Sequence, residues 1–107
     1  MKVQFDDRQI RIRLGKAEFA SLREGVHLDV RNEWPDGAWS LALSAGETFH
    51  LAGNDGGLDV TLPKADLDAL AARLPAKDGL RYAIERPQGA LDVTVEVDLH
   101  DGRTRTR

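Results

Sequence analysis

Arg11 and Arg13 alternate with Ile10, Ile12 and Leu14, so an extended backbone puts both guanidiniums on one side, about 7 Å apart. Two forked donors at that spacing could hold a phosphate or carboxylate group. Late in the chain Asp92, Glu96 and Asp98, with Thr94 among them, share the polar side of a second alternating segment, Leu91 to Leu99. Facing carboxylates of this kind are the ligands a divalent metal takes, and metal plus arginine is the combination that handles phosphoryl groups. The plain alternative is two wet strand faces whose charges pair across a sheet.

Other polar groups are less organised. His27, His50 and His100 are scattered over strands and strand ends, with no tight zinc spacing. Ser40, His27 and Asp29 could be assembled into a nucleophile set, but no Gly-x-Ser-x-Gly elbow exposes the serine. Gly53-Asn54-Asp55-Gly56-Gly57 lacks the Gly-Lys-Ser/Thr ending of a phosphate loop and reads as a hairpin turn. Trp34 and Trp39 bracket the turn Pro35-Asp36-Gly37; core packing is the default for both, and protrusion at a hairpin tip would make them a partner-binding pair.

The elements that carry these residues follow from periodicity. Val3 and Phe5, then Ile10, Ile12 and Leu14, alternate as strands before Phe19 and Leu22 switch to helical spacing that stops at Gly25. Val26, Leu28 and Val30 with Trp39, Leu41 and Leu43 form a hairpin. A second round follows: Phe49 and Leu51, then Leu58, Val60 and Leu62, a helix with Leu67, Leu70, Ala71 and Leu74 on one stripe, and strands over Leu80 to Ile84 and Leu91 to Leu99. The two rounds resemble each other. Ile10 to Leu22 matches Leu58 to Leu70 at a constant offset of 48 positions, with Leu14/Leu62, Lys16/Lys64, Ala17/Ala65 and Leu22/Leu70 identical.

The predicted fold is α+β: about eight mostly antiparallel strands in a curved sheet or barrel-like arrangement, two short helices, and two pseudo-symmetric strand-strand-helix-strand-strand halves, 1–45 and 46–100. One domain covers 1–100, and 101–107 reads as a flexible basic tail.

Composition limits the function classes. In 107 residues, 18 acidic against 15 basic side chains give a net charge of −3, which argues against a nucleic-acid partner. No apolar run approaches a membrane span or a signal peptide, and no cysteine is present, so a cytoplasmic protein without disulfides or cysteine-bound zinc is expected. No motif implies a cofactor.

The opening Met1-Lys2-Val3, the strand Ile10-Arg11-Ile12-Arg13-Leu14 and the segment Lys16-Ala17-Glu18 with Leu22 and Gly25 resemble a family of small uncharacterised bacterial proteins, a domain of unknown function. Leu62-Pro63-Lys64-Ala65-Asp66 is similar to its mid-chain Val-Pro-Lys-Glu segment, and Val95-Glu96-Val97-Asp98-Leu99 to its late acidic strand. Val97 stands where that family tends to have lysine, and no cysteine follows. The resemblance implies a shared fold and carries no activity. In charge arrangement alone, the arginine and carboxylate strands also resemble the tunnel of triphosphate-processing barrels. The leading expectation is a non-enzymatic binding or assembly module, with a protein partner or a homodimer. The alternative is a small barrel that binds anions or hydrolyses phosphates with metal, using Arg11, Arg13, Asp92, Glu96 and Asp98.

Overall fold

A computed structural model describes residues 1–54, 56–76 and 78–99. His100 and the segment 101–107, read above as a tail, lie outside the described residues. Ten elements run in the order β1 (Lys2–Phe5), β2 (Gln9–Gly15), α1 (Lys16–Arg23), β3 (Leu28–Trp34), β4 (Gly37–Gly46), β5 (His50–Asn54), β6 (Gly57–Pro63), α2 (Lys64–Ala72), β7 (Leu80–Ile84) and β8 (Leu91–Asp98). The fold is α+β, as the alternating and helical spacings predict.

The arrangement of strands differs from the curved or barrel-like sheet. They form two separate four-stranded sheets, β1-β2-β8-β7 and β3-β4-β6-β5. Within each, the outer pairs are antiparallel hairpins, while the central pairs, β2 with β8 and β4 with β6, are parallel. Parallel pairs usually have both faces covered. Here the central strands keep one wet face, because Ile10, Ile12, Leu14, Val93 and Val95 are buried while Arg11, Arg13 and Glu96 on the other face are not.

Alternation supplies the core. Those five residues join Leu41, Leu43, Val60 and Leu62 of the second sheet and Phe19, Leu22, Leu67 and Leu70 of the helices in one buried cluster, and no charged or polar residue is buried among the described residues. Each helix follows directly on a central strand and contributes an i, i+3 pair to that cluster, so both helices lie toward the strand ends opposite the hairpin turns.

α1 begins where Gly15 N–H donates to Glu18 Oε1 at 2.8 Å and ends where Gly25, at φ +99°, turns the chain back. Gly25 N–H donates to the Leu22 carbonyl and Val26 N–H to the Ser21 carbonyl, both at 3.0 Å, the paired bonds of a Schellman stop. That stop leaves Val26 half exposed and outside the strand expected to contain it, since β3 starts at Leu28.

Side-chain contacts tie the layers. Phe5 of β1 meets Trp39 of β4 edge to face at 5.0 Å, and Tyr82 of β7 stacks on Phe49, just before β5, at 4.3 Å. Tyr82 Oη also donates to Asp66 Oδ2 of α2 at 2.7 Å. Lys64 of α2 and Arg23 of α1 both reach Asp68 at 3.1 Å, and those two hydrogen bonds hold its part-exposed carboxyl below the usual range. No helix among the described residues is long and apolar enough to cross a membrane.

Candidate functional site

The polar face of the first sheet is built by ladder register. Phe5 pairs with Ile10 across a tight polar turn, in which Asp6 Oδ1 accepts from the Arg8 and Gln9 backbones, so Lys2 falls opposite Arg13 and Gln4 opposite Arg11. The parallel partner then sets Arg13 beside Glu96 and Arg11 beside Thr94, with Arg81 on the far side of Thr94. The face therefore carries two rows: Lys2, Arg13, Glu96, and Gln4, Arg11, Thr94, Arg81.

Glu96 is shared by both arginines. Arg11 Nη2 donates to Oε1 and Oε2 at 3.2 Å each, and Arg13 Nη2 lies 3.5 Å from Oε1. These separations exceed the 2.7–2.9 Å usual for charge-assisted bonds. On the same face Arg81 Nη2 reaches Asp92 Oδ2 at 2.7 Å, so tight pairing is attainable here and the Glu96 pairs are slack by comparison. Lys2 has no ion-pair partner among the described residues. Thr94 Oγ1, between Arg11 and Arg81 in the second row, is buried without a hydrogen-bond partner among the described residues.

Several hollows open beside this cluster. A small one of about 70 Å³ is lined by Lys2, Gln4, Arg11, Arg13 and Glu96 alone. A larger cleft of about 480 Å³ shares Arg11, Arg13 and Glu96 and has an apolar wall of Leu74, Pro75 and Ala76. The larger cleft exists because β7 joins β8 only from Leu80, opposite Val95, and the α2–β7 connection arches past the rest of β8. Gly79 lets that connection close on the strand: a Cβ there would stand 1.9 Å from the Val95 carbonyl oxygen.

Among the described residues the second sheet offers no counterpart. Its antiparallel β5–β6 pair puts His50 opposite Thr61 and Ala52 opposite Asp59.

Of the residues singled out by sequence, Arg11, Arg13 and Glu96 are brought together. Asp92 is engaged by Arg81, and four residues of strand separate it from Glu96, roughly 13 Å at a rise of about 3.3 Å. Asp98 lines the larger cleft, two positions beyond Glu96. Among the described residues no three His, Asp or Glu side chains gather as a metal-ligand set. Trp39 is partly buried under Phe5, whereas Trp34 and Phe5 at the hairpin end are about half exposed, at 49% and 53%. Trp34 packs beside Gly37, where a Cβ would stand 2.9 Å from its Nε1.

Lys2 and Gln4 escape a motif search because neither belongs to a recognisable pattern. The signal was present in the hairpin itself, since a Phe5–Ile10 pair fixes Lys2 opposite Arg13.

No family model matches the chain, and neither the curated proteins nor the solved structures contain a match to it.

Proposed function

We propose that the protein is a non-enzymatic binding module whose ligand is an anionic group received on the outer face of the first sheet. One observation carries the reading: Lys2, Arg11 and Arg13 surround a single carboxylate, Glu96, at a hollow of about 70 Å³ that opens beside the larger cleft. The lining of the small hollow itself holds three cations and one anion, in a chain whose net charge is −3, while Asp98 lines the larger cleft. Like charges directly opposite each other in a ladder are destabilising, and Lys2 faces Arg13. An incoming anion relieves that repulsion.

A binding role is favoured over phosphohydrolysis because the charged face looks outward from a two-sheet core rather than into an enclosed lumen. Thermal-shift titration with inorganic phosphate tests the proposal: saturable stabilisation of the wild type that is lost in Arg13→Ala is expected. A flat response in the wild type refutes it.

Self-association is a second reading, favoured by the half-exposed Phe5 and Trp34 at one end of the molecule. Two half-exposed aromatics offer on the order of 200 Å², against about 800 Å² per partner in a stable interface, so any dimer formed there is weak. Light scattering over a dilution series reads it directly, and a monomeric mass at every concentration removes it.

We also propose that the halves descend from one duplicated unit. Exchanging β1, β2, β3 and β4 for β5, β6, β7 and β8 turns the order β1-β2-β8-β7 into β5-β6-β4-β3, which is the second sheet read from its other edge. The charged residues are where the copies diverge, which supports placing the function on the first sheet alone.

A further inference from the structure

We infer that the small hollow selects a phosphate that still carries a proton over a fully deprotonated oxyanion such as sulfate. The inference rests on the anion-binding reading above and adds the identity of the ligand's chemistry. The hollow's volume, about 70 Å³, is several times the roughly 10–15 Å³ that holds one water, room for a small oxyanion.

Its lining is rich in donors. Lys2 brings an ammonium, Gln4 an amide, and Arg11 and Arg13 each a guanidinium of which only Nη2 is engaged with Glu96. Against these stands one charged acceptor, the Glu96 carboxylate. Hydrogen phosphate matches that inventory: its unprotonated oxygens accept from Lys2, Arg11 and Arg13, and its hydroxyl donates to Glu96. Sulfate has the same shape and charge but no proton to give at neutral pH. Whichever of its oxygens approaches Glu96 meets a carboxylate lone pair.

Glu96 then has two roles. With the hollow empty it is the counter-ion that lets two arginines sit side by side. With an anion bound it becomes the element that rejects competitors, since specificity between isosteres is obtained by placing an unfavourable contact against the wrong one. The slack 3.2–3.5 Å separations suit that exchange, because each guanidinium can turn toward an incoming oxygen without breaking a tight bidentate pair. The same chemistry serves free phosphate and a phosphate monoester, and the two differ in pH behaviour. A monoester loses its second proton near pH 6 whereas inorganic phosphate keeps one well above neutrality.

The test is calorimetric titration of the full chain with inorganic phosphate and, separately, sodium sulfate at matched ionic strength and pH 7. Phosphate binding about 10-fold or more tighter than sulfate is expected, with the ratio collapsing toward unity in Glu96→Gln through a gain for sulfate. Phenyl phosphate at pH 5.5 and pH 8 separates the sources: a monoester ligand binds more weakly at the higher pH, and inorganic phosphate holds its advantage over sulfate at both. Equal affinity for phosphate and sulfate in the wild type overturns the selection and leaves the anion site standing. Binding of neither overturns both. A ratio unchanged in folded Glu96→Gln removes Glu96 from the role, and should that variant not fold, the wild-type ratio alone decides.

Discussion

Replacing Lys2 with glutamine separates a binding face from a merely solvated one. Lys2 pairs with Arg13 in the β1–β2 ladder, where Cβ atoms of facing residues lie about 5 Å apart and the charged ends of these long side chains spread to roughly 7 Å. At that distance in water two like charges repel by about 0.6 kcal/mol, before screening. Lys2 also feels Glu96, one strand further away and shared by two arginines, which offsets part of this. The net gain on removing the Lys2 charge is therefore about 0.3–0.5 kcal/mol at low salt, or about 1–4 °C in Tm for a domain of this size.

The sign is the informative part. In phosphate-free, low-salt buffer Lys2→Gln melts higher than the wild type, because the empty face is relieved. In saturating phosphate the order reverses, because the wild type gains more from the ligand. Adding sodium chloride shrinks the first difference as the Debye length falls toward about 3 Å at 1 M. Melting curves by circular dichroism in the three buffers give all the comparisons. A lower Tm for Lys2→Gln in the phosphate-free, low-salt buffer would refute the argument that Lys2 is held against repulsion.

Three further outcomes are expected. Tyr82→Phe keeps the stack on Phe49 and loses the bond to Asp66, for a cost of about 1 kcal/mol in urea denaturation; burial, with the Asp66 bond and charge, raises the Tyr82 phenol above its ordinary value, so its share of stability is present below about pH 10 and fades as pH rises further. Burial pushes the Glu18 carboxyl up, but hydrogen bonds from the Met1 ammonium and Gly15 N–H, with the ammonium's charge, outweigh it and leave the group below its usual value; its stabilisation is complete above about pH 4.5 and lost as pH falls through the depressed value, so acid unfolding of Glu18→Gln is less steep than that of the wild type. Gly57→Ala forces a residue at φ +148° to place its Cβ 1.8 Å from the Ser40 carbonyl oxygen, which parts β4 from β6 and lowers stability by about 3 kcal/mol or more in the same denaturation assay.

The local elements were legible because each is written in neighbouring residues. Ile10, Ile12 and Leu14 spell β2, Leu67 and Leu70 spell the buried stripe of α2, and Gly25 marks the end of α1. The partnership of β2 with β8 is different, joining Gln9 to Asp92 and Gly15 to Asp98 with nothing between them in sequence that fixes the pairing. Its direction, parallel, came from the global arrangement of two sheets around one core, and alternation is blind to it. The same gap explains the site. Arg11, Arg13 and Glu96 stood out by type, but whether Glu96 would answer the arginines or join Asp92 and Asp98 depended on the β2–β8 register. Trp34 shares the inward side of β3 with Leu28 and Val30, so periodicity placed it in the core; its position at the end of the hairpin leaves it half exposed instead.

The central claim is that an anion is received among Lys2, Arg11 and Arg13. It is tested most directly by following arginine side-chain Nε–Hε resonances while inorganic phosphate is titrated into the labelled protein. Arg11 and Arg13 are expected to shift together along one saturable curve, while Arg31, paired with Glu33 on the other sheet, and Arg81, paired with Asp92, stay in place. Uniform, non-saturating drift of all four would contradict it.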